Sequence, residues 1–167
     1  LTDEEPEYLT APKKWLSHKP ISKLDTKPDE RSGYYKPEIG DVYWLVDSDG
    51  DVISKIWRDI TVYDIHRLSQ GNVFRTREEA EHHKKKLDVI GKIRLAAMDD
   101  IAENGELDWG DDKIKYYLFY YHNGKHWSVS HAYMAHHHST IYFKTKASAE
   151  QCLADIGNEL DILIGEG

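Results

Sequence analysis

A single cysteine, Cys152, stands in the whole chain, so no internal disulfide can form and a reducing compartment is the natural expectation. A lone cysteine on a helix reads as a small buried apolar group, because nothing near it in sequence would activate a thiolate. No apolar run approaches the ~20 residues that span a bilayer, and the first residues lack a basic-then-apolar leader pattern. A membrane partner is therefore not expected, and the cytoplasm is the expected location. Bases are also scarce: 22 Lys and Arg against 30 Asp and Glu leave a net charge of -8. The deficit belongs wholly to residues 38–167, and an acidic body repels phosphate backbones at long range. Nucleotide-binding glycine loops and nucleophile elbows are missing, and scattered acids give no acid–base assignment. The chain reads as a non-enzyme with no cofactor.

Proline is absent after residue 37. All five prolines, Pro6, Pro12, Pro20, Pro28 and Pro37, interrupt the first 37 residues at intervals too short for regular elements. Residues 1–37 read as an extended arm or linker. Its one compact apolar group, in "KKWLSHKPI" (13–21), would dock on its own domain or wrap a partner. Residues 38–167 read as a single α+β domain.

Within that domain the chain repeats itself. "FRTREEAE" (74–81) returns as "FKTKASAE" (143–150). Ahead of the first copy, "DVYWLV" (41–46) and "VISKIW" (52–57) read as strands around "DSDGD" (47–51). That turn also suggests a calcium loop, but its glycine is misplaced and Arg58 stands where a bidentate acid is needed, so a hairpin is preferred. A connector (58–71) leads to "NVF" as a third strand. A long helix follows, N-capped by Thr76 with Glu79 in a capping box and ended by Asn104-Gly105. Its expected apolar stripe is Ala80, Leu87, Ile90, Ile93, Ala97, Met98 and Ile101. In the second half "KIKYYLFYY" (113–121), "HWSVSHAYM" (126–134) and "TIYF" (140–143) read as strands. A helix from Thr145 to about Ile164 should bury Ala149, Cys152 or Leu153, Ile156, Leu160 and Leu163. Two β-β-β-α units, about 41–105 and 113–164, are the expected architecture, packed as one body behind the arm.

These pieces resemble a group of small phage and prophage proteins. The shared features are Tyr43-Trp44, Arg67 in the connector, Gly71-Asn72-Val73-Phe74-Arg75-Thr76-Arg77-Glu78-Glu79-Ala80-Glu81, then Asp108-Trp109 and Tyr116-Tyr117. The resemblance covers residues 42 to about 163. It implies a phage origin, hence a host cytoplasm, and supplies no catalytic residues.

Four groups of residues are candidates for function. Arg75, Arg77, Lys144 and Lys146 flank the two helix starts, where cations oppose the macrodipole. With free amides they would bind an anion; alternatively they are solvated edge residues that discourage strand pairing. Next come the histidines His122, His126, His131 and His136–His138. His136 and His138 on one extended face would lie about 7 Å apart, near enough to share a metal. A metal-dependent hydrolase on the 131–138 segment is one alternative reading, although the metalloprotease spacings are absent. Third is the tyrosine-rich strand with Tyr116, Tyr117, Tyr120 and Tyr121. Both its faces need cover, from the other unit, the arm, a second subunit, a partner protein or stacked bases. The last is the acidic run from Asp99 to Asp112, with Asp108, Trp109, Asp111 and Asp112. It is either a solvated linker or a surface that imitates DNA charge. The function expected from these features is a non-catalytic phage protein that binds and modulates, by inhibition, a host protein such as a defence system. A nucleic-acid accessory role is the main alternative. Self-association is compatible with either.

Overall fold

The computed structural model describes residues 35–58, 61–110, 113–133 and 139–165. The architecture is α+β, with two separate two-stranded antiparallel sheets and three α-helices among the described residues. From Pro37 onward these residues belong to one compact unit.

The first hairpin pairs β1 (Val42–Val46) with β2 (Val52–Ile56), in a register that sets Val42 opposite Ile56 and Val46 opposite Val52. Its turn closes through the Asp47 carboxylate, which accepts the amides of Asp49 and Asp51 at 3.0 and 2.9 Å. Gly50 supplies the positive φ of 82° that this bend requires.

The expected connector holds a helix. α1 (Val62–Ser69) is capped by Thr61, whose hydroxyl accepts the Asp64 amide. Gly71, with φ 68°, turns the chain out of α1. Asn72 then uses its side-chain amide as a strand would, donating to the Val46 carbonyl at 2.7 Å and accepting the Val46 amide at 2.9 Å. The expected third strand is only a bridge: Phe74 and Trp44 exchange one pair of backbone hydrogen bonds. The Asn72 side chain occupies the neighbouring ladder position, so the backbone pairing stops there.

Next comes α2 (Arg77–Asn104), with the Thr76–Glu79 capping box and its end at Gly105 as expected. Its 28 residues give a length of about 42 Å. The stripe differs from expectation. Ala80, Val89, Ile93, Ala97 and Asp100 are buried, whereas Leu87 and Met98 are exposed.

The second hairpin pairs β3 (Lys115–Tyr121) with β4 (His126–Ala132), Lys115 opposite Ala132 and Tyr121 opposite His126. Again the expected third strand is a single bridge, Phe143 to Tyr116. α3 (Lys146–Ile156) stops at Gly157, short of the expected end, and a 3-10 turn over Leu160–Leu163 completes the chain's described part. The main core joins α2 to α3 through Val89, Ile93, Ala97, Phe143, Ala149, Cys152, Ile156 and Leu160. Tyr116, Leu118, Trp127 and Val129 pack on it from the second hairpin. At the first hairpin a separate group is buried: Tyr43, Leu45, Val46, Trp57 and Val73.

Candidate functional site

At both helix starts the amides expected to receive an anion already hold an internal carboxylate. At the first, Glu79 accepts the Arg75 and Thr76 amides at 2.8 and 3.2 Å. At the second, Ser148 stands in the place of that glutamate, and the carboxylate comes from α2. Asp100 accepts the amides of Lys144 and Thr145 and the hydroxyls of Thr145 and Ser148. Asp100 is buried, which raises a carboxyl pKa, yet these bonds outweigh burial and hold it below the ordinary value. The basic side chains are engaged as well. Arg77 pairs with Glu81, Lys146 pairs with Glu150, and the Lys144 ammonium donates to the Glu106 carbonyl. Arg77 also lies over the Trp44 ring.

An anchored arginine stands elsewhere, at the first hairpin. The sequence Thr61-Val62-Tyr63-Asp64 is a T-x-x-D capping pattern that starts α1 and buries Asp64. The Asp64 carboxylate accepts the Tyr43 hydroxyl and the Thr61 hydroxyl, both at 2.7 Å. Arg67, one turn on, donates one nitrogen to the Tyr43 oxygen at 3.1 Å and to Asp64 at 3.2 Å. Burial favours a neutral Asp64, but the Tyr43 and Thr61 hydrogen bonds and the Arg67 charge prevail and lower its pKa. Burial and the neighbouring carboxylate raise that of Tyr43. The guanidinium is thus fixed from one side and faces a cleft of about 480 Å³. Val42, Ile56, Tyr63, Lys55 and Arg58 line it, and all five are exposed. Lys55 and Arg58 form no ion pair with any described residue. In an acidic body this is a local concentration of positive charge beside apolar surface. In the sequence Arg67 stands out only by resemblance, and the T-x-x-D pattern ahead of it is the signal for its support.

The tyrosine-rich strand divides by face. Tyr116 packs on the core, and Tyr120 lies against Trp127 with ring centroids 5.4 Å apart. On the other face, Tyr142 covers Tyr117 and is itself met edge-on by Trp109. Lys115 is buried beside them. Its ammonium donates to the carbonyls of Lys113 and Tyr133 and lies 4.5 Å from the Trp109 ring centre. Further along the same face Phe119 and Tyr121 are exposed, so the cover among the described residues stops short of this end of the strand. In the acidic connector Asp108 is exposed and accepts the Gly110 amide, while Asp111 and Asp112 lie outside the described residues.

His136–His138 also lie outside the described residues. Among the described ones, no three His, Cys, Asp or Glu side chains converge as metal ligands. His122 and His126 instead meet Tyr120 and Tyr121, and His131 meets Tyr133, all by ring contacts. No described helix is long and apolar enough to cross a membrane. No protein-family model, curated protein or solved structure matches the chain.

Proposed function

We propose that the chain is a non-catalytic interaction protein that grips a partner protein through the cleft between β2 and α1. The observation that carries this reading is Arg67, held rigid by Tyr43 and Asp64 beside exposed Val42, Ile56 and Tyr63. A fixed guanidinium suits a carboxylate, and the apolar rim suits the side chains around it. The partner segment is therefore acidic with apolar residues interspersed. A host protein modulated by a phage product is the setting that the sequence resemblance supports. The matching hairpin-to-helix corners support descent of the two halves from one unit. Nucleic acid is the weaker reading, because Arg77 and Lys146 sit in ion pairs with glutamates and Lys144 is bonded to a carbonyl.

The test is retention of a host protein from lysate on the purified chain, compared with a Lys55→Glu, Arg58→Glu variant. Both positions are exposed, so the variant should melt as the parent does. The expected result is a stoichiometric protein held by the parent and lost by the variant. Equal retention by both, or repeated empty captures with the parent, would overturn the reading.

A further inference from the structure

We propose that two copies of the chain associate through the outer face of α2, the helices crossing antiparallel at Gly91. α2 is apolar on two opposite sides. At about 100° per residue, Val89, Ile93, Ala97 and Asp100 point one way into the body, and on the other side only Ala80, near the helix start, is buried. Leu87, Gly91, Leu95 and Met98 follow the opposite line, and the three side chains there are 47%, 62% and 64% exposed. The groove beside this line is lined by Leu87, Gly91 and Leu95 and by Ile162.

Gly91 is one of the poorest helix-forming choices in a helix that runs seventy-seven to one hundred and four, close to its midpoint. A Cβ there would meet nothing within 4 Å, so no internal neighbour demands glycine. Glycine there leaves room for another backbone to approach closely.

The occupant is read from the sequence on either side. About a two-fold axis at Gly91, a residue some positions before it meets the residue equally far after it on the second copy. Leu87 then meets Leu95, and Asp88 meets Arg94. Both pairs are complementary, and each recurs twice by symmetry. Farther out, the basic run Lys84-Lys85-Lys86 lies toward the end of the second helix that carries Asp99 and Glu103. Asp88 and Arg94 are exposed and neither makes an ion pair with another described residue. Six residues apart on one helix, they are not neighbours within a single copy. A parallel arrangement would set Asp88 against Asp88 and Arg94 against Arg94, which opposes it.

The proposal is independent of partner capture, and the mass of the full chain in solution tests it. Sedimentation equilibrium across a concentration series should pass from 19.4 kDa toward twice that mass. Leu95→Lys should weaken association at least tenfold. Asp88→Arg alone and Arg94→Asp alone should each weaken it, and the two together should restore it. A monomer at every concentration overturns the proposal. So does an association that Leu95→Lys leaves unchanged, or a charge-reversed double variant no better than the single ones. Circular dichroism of each variant distinguishes lost association from lost folding, and a Leu95→Gln variant that folds and stays dimeric also counts against it.

Discussion

The Asp100 carboxylate on α2 accepts the amides of Lys144 and Thr145 at 2.5 and 3.1 Å, and so caps α3, which starts at Lys146. Glu79 does the equivalent work for its own helix from an exposed position. The chemistry is alike but the surroundings differ. Asp100→Ala leaves buried donors without a partner and should cost about 3 kcal/mol. Glu79→Ala opens its amides to water and should cost about 1 kcal/mol. Denaturant unfolding of the two variants measures the difference.

Stability should fall with acid in two windows. The His83 pKa is lowered by burial and by the nearby Lys86 and His82. The unfolded chain then binds a proton there more readily, so stability present above the ordinary histidine value of about 6.5 is lost as pH falls below it. Asp64 and Asp100 are also lowered, so their contribution is complete above about 3.9 and is lost as pH falls through their folded values. Thermal melts from pH 8 to pH 2 should show both declines. The histidine window should vanish in His83→Gln, and the carboxylate window should shrink in Asp100→Asn.

Much of the fold was legible because it is local. Thr76 and Glu79 declare a helix start within four residues, and Asp47-Ser48-Asp49-Gly50-Asp51 declares a turn within five. The start of α3 at Thr145 was legible too, but the acid that completes its cap was not, since Asp100 lies on another helix and Ser148 binds it by a hydroxyl. The α2 stripe departs from the expected one for a different reason. Residues at three- and four-residue steps can follow either of two lines, and Leu87 and Met98 belong to the line facing away from Ile93 and Ala97. α1 has no signature in the sequence pattern because its apolar residues Val62, Tyr63 and Ile65 face solvent and give no core periodicity. At the candidate site, Arg67 was visible only as a recurring residue, and its anchoring by Tyr43 depends on a strand 24 positions earlier.

Tyr43→Phe removes a hydroxyl that bonds both Asp64 and Arg67. Asp64 keeps its Thr61 bond, so the cost should be about 1–2 kcal/mol. Alkaline titration followed by phenolate absorbance should contain a late component from Tyr43, because burial and Asp64 raise its pKa. A raised folded value means that stability is complete below about 10 and lost as pH rises through the folded value. That late component should disappear in Tyr43→Phe.

On the outer face of β3, a charged residue should matter more than the aromatic ones. Phe119 and Tyr121 are exposed there, so Phe119→Ser and Tyr121→Ser should each shift stability by no more than about 0.5 kcal/mol. Lys115 shares that face but is buried, with its ammonium given to the carbonyls of Lys113 and Tyr133 and its charge set against Trp109. Lys115→Ala strands both carbonyls and opens a gap beneath the indole, at a cost of about 2–3 kcal/mol. Leu118→Ala, on the inner face against the main core, should cost a similar amount by loss of packing alone. Amide hydrogen exchange tells the two apart. Lys115→Ala should free the end of β4 near Ala132 and Tyr133 while leaving α3 protected, whereas Leu118→Ala should lower protection in α3 as well.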